Sequence, residues 1–314
     1  MPDWLVERGI GETRCVRVVD GAIVEARILL DGQFRAGSVI EARLLSKGIS
    51  GRNAVARGAD GRDYLLPKGA TGMTEGAAAR LEVTREAIPG AEPWKRPLAR
   101  LTDKPLGEAI IAGEALPFPA PADRLAALGW DDLIDEARTG SVRFAGGELS
   151  IEATRAMTLI DVDGSGEPHE LAQLGAAAAA RAIARLDLQG SIGIDLPTSA
   201  GRDARLAAAA ALDALVPQPF ERTAVNGFGF VQLVRPRARA SLIELARDRA
   251  NFEARALLRW SASATGSTTL SAHPKVIEAI EAQPAWIEAL ARQVGGAVAL
   301  RAEAALGIAG GHVH

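Results

Sequence analysis

The first ninety residues alternate apolar and polar side chains in short runs separated by glycines. Residues 14–30 form two such runs around Asp20-Gly21, a dipeptide typical of a tight β-hairpin. Residues 37–88 continue the alternation, with turn signals at Gly58, Gly61 and Gly72. The pattern predicts an N-terminal hairpin followed by a small antiparallel β-barrel.

A different pattern begins after a proline-rich connector. Seven of the sixteen prolines lie in residues 89–122, and residues 123–138 then have the apolar spacing of a helix. Beyond this point, apolar runs predict two strands within 148–162 and single strands at 191–195, 226–235 and 297–302. Helical spacing predicts helices at 169–187, 201–215, 241–259, 274–282 and 284–294. Strands that alternate with helices in this way favour an α/β layer, with helices packed on a sheet.

Composition narrows the class of protein. Of 314 residues, 48% are hydrophobic and 24% charged, which is ordinary for a globular chain. No window offers the ~20 uninterrupted apolar residues of a membrane span, and the N-terminus lacks the apolar core of a signal peptide. Cys15 is the only cysteine, which excludes an intrachain disulfide and a thiolate zinc cluster. We expect a cytoplasmic protein without a membrane partner.

The charge distribution bears on a nucleic-acid partner in two ways. A net charge of −3 lacks the basic footprint that phosphate binding usually leaves. Arginines nevertheless concentrate between residues 235 and 259, at positions 235, 237, 239, 247, 249, 255 and 259. They could bind phosphate, for which arginine is well suited, or lie on solvated helix faces.

Acidic residues end two of the predicted strands. Asp161 closes the apolar run of LIDVD, Asp163 follows on the same side, and Asp195 closes SIGID. Because ligands gather at the carboxyl ends of strands in α/β sheets, these carboxylates could hold Mg²⁺ or Mn²⁺. Alternatively, each acid could begin a loop or cap a helix.

Five segments resemble the ribonuclease E/G family, in the family's order: ETRCVRVVDGAIVEARI, GSVIEARLLSKG with GADGRDYLLP, IEATRAMTLIDVDGS, DLQGSIGIDL and VNGFGFVQLVRPR. The resemblance implies an OB-type RNA-binding barrel and a nuclease domain. It places Asp161 and Asp195 on the family's Mg²⁺-binding aspartates, and Asp163 where an asparagine supports the first. The implied reaction is attack of metal-bound water on a phosphodiester of single-stranded RNA, leaving 5′-phosphate and 3′-hydroxyl ends.

The resemblance also suggests residues that contact RNA. Tyr64 falls on one of two base-stacking positions of the barrel, while Ala54 stands at the other. The remaining candidates are the basic residues after the barrel and the residues of the GFGF segment and the basic run that follows it: Arg85, Lys95, Arg96, Phe228, Arg235 and Arg237.

Several departures from the family are plain in the sequence. Thr198 replaces a further aspartate, Arg155 replaces a glutamate, and Gly227 replaces an arginine. Only residues 102–147 separate the barrel from the nuclease segment, too few for the family's 5′-end sensor. The family's CxxC zinc link is missing. We therefore expect no zinc, no zinc-linked dimer, a monomer or weak homodimer, and cleavage indifferent to a 5′ phosphate.

Together these observations predict an α/β protein, α+β overall, with an OB-type barrel, a central nuclease-like sheet flanked by helices and a small C-terminal α/β domain. The expected segments are a hairpin like part of a ribonuclease H unit (1–35), the barrel (36–101), a connector with a helix (102–140), the catalytic domain (141–245) and the C-terminal domain (246–314). The first functional hypothesis is a Mg²⁺- or Mn²⁺-dependent endoribonuclease. The alternatives are a catalytically degenerate relative that binds RNA or a protein, and a metal phosphohydrolase acting on nucleotides.

Overall fold

A computed structural model describes residues 4–48, 52–90, 95–120, 122–198 and 201–314. The strands are β1 (Trp4–Arg8), β2 (Glu12–Val19), β3 (Ala22–Leu30), β4 (Val39–Ser46), β5 (Ala54–Gly58), β6 (Asp63–Leu66), β7 (Ala78–Arg85), β8 (Leu98–Leu101), β9 (Gly113–Leu116), β10 (Ser141–Phe144), β11 (Gly147–Ala153), β12 (Thr158–Gly164), β13 (Gly190–Asp195), β14 (Glu221–Arg222), β15 (Phe230–Arg235), β16 (Thr268–Ala272), β17 (Val298–Ala302) and β18 (His312–Val313). The helices are α1 (Arg124–Ala127), α2 (Trp130–Thr139), α3 (Pro168–Arg185), α4 (Arg202–Leu215), α5 (Leu242–Arg247), α6 (Arg249–Ser261), α7 (Pro274–Glu281) and α8 (Pro284–Val294). The fold is mixed α+β, as the sequence pattern predicts.

The described residues divide into two compact units. The first draws on Met1–Asp31, Ala112–Thr139 and Leu242–His314, and the second on Gly32–Ile111 and Gly140–Ser241. The sequence pattern assigns the connector and the chain ends to separate segments, whereas here they lie in one unit. Two contacts explain this arrangement, because β9 pairs in parallel with β1 and α2 packs against α5.

The first unit contains two sheets, with strand orders β3-β2-β1-β9 and β17-β16-β18. The expected hairpin is present, with Asp20 and Gly21 both at positive φ, as a tight primed turn requires. Glu12 on β2 accepts hydrogen bonds from Arg255 and Arg259 on α6, each at 2.9 Å. Arg255 and Arg259 are therefore buried ion-pair partners. Neither phosphate binding nor a solvated helix face, the two explanations proposed for the arginines of residues 235–259, applies to them.

The second unit contains a closed five-stranded barrel with the order β4-β5-β6-β8-β7. Alternate residues of its strands point inward and form the barrel core, which includes Ile40, Leu44, Tyr64, Leu66, Leu81 and Val83. The barrel is anchored to the rest of this unit around Glu86, just after β7. The N–H of Glu86 donates to the carbonyl of Ala238 at 2.8 Å, and Arg239 donates to Asp187 at 3.1 Å. Arg239 therefore also has a structural partner.

The same unit contains a six-stranded sheet with the order β10-β11-β12-β13-β15-β14. Strands β12 and β13 are parallel, and the other neighbouring pairs are antiparallel. Helix α3 packs on β10, β11 and β12, and α4 packs on α3. Period-two alternation sends the buried residues of β11 and β12 toward the helices and leaves the acids of these strands, together with Leu159, on the opposite face of the sheet. This second face, the open face, carries the candidate site.

No helix in the described part of the chain combines the length and the apolar content that crossing a membrane requires.

Candidate functional site

Two carboxylates lie side by side on the open face. Asp161, the middle residue of β12, and Asp195, the last residue of β13, are register partners, and the parallel pairing of the two strands ends at this position. Side chains at paired positions point to the same face, and neighbouring strands lie about 4.8 Å apart. Both residues are exposed. The two carboxyl groups therefore face solvent together, although β12 continues to Gly164 and does not end at Asp161 as the apolar pattern predicts.

Further acids surround this pair. Asp163 lies two residues beyond Asp161 on the same face, opposite Glu148 of β11. Ser150 of β11 lies opposite Asp161 and adds a hydroxyl. Arg143 approaches Glu148 only to 3.9 Å, at the far side of the cluster. The centre of the open face is thus negatively charged.

The negative charge of this cluster contributes to the pKa of Asp161. Partial burial raises the pKa of its carboxyl, and the negative charges of Asp163 and Asp195 raise it further. A hydrogen bond with the backbone of Val162 acts in the opposite direction and is the weaker influence. Among the ion pairs that join described residues, none uses Asp161, Asp163 or Asp195, so no arginine or lysine there neutralises the cluster.

These residues suit one kind of metal better than others. Within the described ranges, no three or more His, Cys, Asp and Glu side chains are grouped so as to hold a metal ion. Mg²⁺, however, commonly takes one or two carboxylates and completes its shell with water and substrate phosphate. The in-register pair of Asp161 and Asp195 provides that donor set, and a cation would relieve the repulsion that raises the pKa of Asp161.

A tight turn beside the loop that follows β13 carries an exposed aromatic ring. Asn226 Oδ1 accepts hydrogen bonds from the N–H groups of Phe228 and Phe230, at 2.9 and 3.0 Å. Gly229 closes the turn with φ +91°, and a Cβ there would lie 2.1 Å from the carbonyl oxygen of Leu196. Phe228 at the tip is 80% exposed. Strand β15 consequently begins at Phe230, whereas the apolar pattern predicts a strand that begins at residue 226.

One feature of the open face was not found from the sequence. Phe230 pairs with Asp195, and its ring lies over Gly193, where a Cβ would come within 2.6 Å of Cζ. Leu159 borders the same space from β12. An apolar ledge made of Leu159, Gly193 and Phe230 therefore adjoins the acid pair. Gly193 in a strand interior was the available signal, because such glycines often mark close approach.

Arg235 and Arg237 lie away from the acids. Strand β15 runs antiparallel to β13, so Arg235 pairs with Gly190 at the start of β13, whereas Asp195 is at its end. Five residues of strand separate the two ends, roughly 17 Å. Arg235 also donates to the carbonyl of Leu188 at 2.8 Å. The structure thus does not bring these two predicted RNA contacts to the acid pair.

The barrel residues need a correction. Tyr64, expected to stack on a base, is 1% exposed and donates its hydroxyl to Asp60 at 2.9 Å inside the barrel. Ala54 is buried as well, because the alternation of β5 and β6 points both side chains inward. Neither position is accessible to a base, so Tyr64 is not carried forward as a stacking residue. Lys95 and Arg96 are half-buried, and Arg85 donates to the carbonyl of Arg96 at 2.7 Å.

Neither the family models nor the curated proteins that were compared with this sequence give a significant match. The function of the site therefore rests on its geometry and its chemistry.

Proposed function

We propose that this protein is a Mg²⁺- or Mn²⁺-dependent endoribonuclease that cleaves single-stranded RNA at the acid pair. The observation that carries the proposal is the parallel register of Asp161 and Asp195, whose exposed carboxylates lie together without a cationic partner among the described residues. Uncompensated carboxylates that lie close together on one face of a sheet are an arrangement that a divalent cation stabilises.

Asp161 and Asp195 would hold the ion, and Asp163 would assist by adding negative charge on the same face. A divalent ion bound there supplies two effects, a lowered pKa of water and compensation of charge on a phosphoryl oxygen. The resemblance to the ribonuclease E/G family supports the same assignment and implies 5′-phosphate and 3′-hydroxyl products. Phe228 supports a single-stranded substrate, since only an unpaired base offers a free face for stacking.

The barrel offers a second contact for RNA. We propose that the barrel is of OB type, which its strand order supports; such barrels bind oligonucleotides at the face of their second and third strands and at adjoining loops. An open cleft of about 1080 Å³ on the barrel is lined by Arg43, Arg57 and Arg80, although Glu41 and Asp103 also line it. We propose that this cleft, rather than the position of Tyr64, receives the RNA backbone.

A non-cleaving relative that binds RNA or a protein is the competing function. One observation favours it: Tyr64 and Ala54, where the resemblance places base-stacking residues, are both buried. Both functions predict RNA or partner binding, but only the first predicts cleavage that depends on the carboxylates.

Cleavage of single-stranded A/U-rich RNA in Mg²⁺ or Mn²⁺ tests the proposal. Asp161→Asn and Asp195→Asn should each lower the rate more than about a hundredfold, because each removes a ligand charge while keeping side-chain shape. Glu152→Gln is the matched control, since Glu152 lies on the same open face of β11 and should leave the rate unchanged.

Substrates with 5′-monophosphate and 5′-hydroxyl ends should be cleaved at equal rates. Cleavage that persists in both aspartate variants would rule the acid pair out as the active site. RNA binding by the wild-type protein without cleavage would favour the non-cleaving relative.

A further inference from the structure

Phe228 is held in an exposed position by a well-bonded turn. Two hydrogen bonds to Asn226 Oδ1 and one from the N–H of Gly229 to the carbonyl of Asn226, at 3.2 Å, fix the turn. Exposed large aromatic side chains usually fold back on neighbouring apolar atoms, because water contact is unfavourable. Here the bonded turn keeps the ring 80% exposed at its tip.

Thr198 ties this turn to the loop that follows the acid strand. Its hydroxyl donates to the carbonyl oxygen of Phe228 at 3.1 Å. The N–H of Leu196 donates to the carbonyl of Gly229 at 3.3 Å in the same region. Residues 196–198 begin directly after Asp195. The turn that carries the ring is therefore bonded to the loop that directly follows Asp195.

The residues around Phe228 indicate which kind of ligand its ring can bind. The residues that belong to the turn or bond to it are Asn226, Gly227 and Thr198, which are polar or small, and Phe230, whose ring lies over Gly193. A single ring in such a setting offers far less area than the roughly 1,200 Å² that a stable protein interface buries. One ring does match the face of one nucleobase, and stacking on an aromatic side chain is how proteins bind unpaired bases.

We propose that Phe228 stacks on the base next to the phosphate that lies at Asp161 and Asp195, and that Thr198 is its positioning residue. This inference rests on the proposed nuclease function. It gives Thr198 a role of its own, although the resemblance to the ribonuclease E/G family implies an aspartate at this position. It also makes the enzyme sensitive to the base beside the cleaved bond.

The first test is kinetic. Phe228→Ala should raise KM roughly fivefold to a hundredfold, the range that loss of one base stack produces, with kcat little changed. Phe228→Tyr, which keeps the ring, should restore KM. On a substrate with an abasic nucleotide beside the cleaved bond, Phe228→Ala should have no further effect, because the base that it would contact is already absent.

The second test concerns Thr198. Thr198→Val keeps the shape but removes the hydroxyl, and should raise KM by a smaller factor than Phe228→Ala. Thr198→Ser keeps the hydroxyl and should restore KM. If Thr198 acted only through packing, Thr198→Val, which keeps the shape, would raise KM no more than Thr198→Ser.

A binding test does not depend on cleavage. In Phe228→Trp, an oligoribonucleotide added with Ca²⁺ should quench fluorescence beyond any change in the wild-type protein, and an abasic oligonucleotide should not. Cleavage by the wild type without this quenching and without a KM effect would overturn the inference and leave the nuclease function standing. Quenching without cleavage would overturn the nuclease function and keep the stacking role, and the absence of both would overturn both.

Discussion

The carboxyl group of Asp161 has a pKa raised by partial burial and by the charges of Asp163 and Asp195. A raised pKa means that the folded state binds the proton of this group more tightly than the unfolded state does. The contribution of Asp161 to stability is therefore most favourable below its unfolded pKa. It declines as pH rises through the folded pKa. At neutral pH, without a cation, the charge of Asp161 should oppose folding.

Asp161→Asn should accordingly raise the Tm above that of the wild type at pH 7 in the presence of a chelator. The difference in Tm should shrink toward pH 3, where the wild-type carboxyl is protonated and therefore as neutral as the asparagine amide. Thermal unfolding followed by circular dichroism measures both effects. Glu152→Gln provides the comparison on the same sheet face. An unchanged or lower Tm for Asp161→Asn at pH 7 would argue against charge repulsion at this site.

Helix α3 packs closely on β12, the strand that carries Asp161, because a glycine on the helix faces the strand. A Cβ at Gly175 would lie 2.3 Å from Cγ1 of Val162, the residue between Asp161 and Asp163. The neighbouring Ala176, Ala179 and Ala180 are also fully buried and small. The helix thus approaches β12 closely, and the acids on the other side of that strand are held by this packing.

Gly175→Ala should lower the free energy of unfolding by about 1–2 kcal/mol. Overpacking a filled core costs roughly 1–3 kcal/mol, and a Cβ only 2.3 Å from Cγ1 of Val162 puts Gly175→Ala in the upper part of that range. The ~1 kcal/mol that alanine gains over glycine inside a helix offsets part of this cost. Urea unfolding measures the change. The double variant Gly175→Ala with Val162→Ala should lose less than the sum of the two single changes, because the smaller residue leaves room. A stabilised Gly175→Ala would show that the contact is not tight.

Across the whole molecule, the sequence predicts those strands and helices whose apolar residues recur at a regular spacing. The hairpin at Asp20-Gly21, the barrel and the long helices all have a regular apolar period. Strand β9, by contrast, lies in the proline-rich connector and exists because it pairs with β1, more than a hundred residues earlier. Such pairing is a tertiary effect that no local window contains.

The candidate site likewise has features that local sequence predicts and features that depend on the pairing of distant strands. Asp195 ends β13, as the sequence predicts, whereas β12 continues past Asp161 to Gly164 because these residues pair with β11. The accessibility of Tyr64 depends on the phase of alternation in β6, and a shift of one residue reverses it. The location of Arg235 depends on the direction of β15 relative to β13, which strand patterns alone do not specify.

Binding of Mn²⁺ in the absence of RNA is the most direct test of the acid pair. Electron paramagnetic resonance titration of the wild type should show a bound ion. Asp161→Asn and Asp195→Asn should each weaken its affinity by more than about tenfold, and Glu152→Gln should not. Equal Mn²⁺ affinity in all four proteins would contradict a metal centre at Asp161 and Asp195.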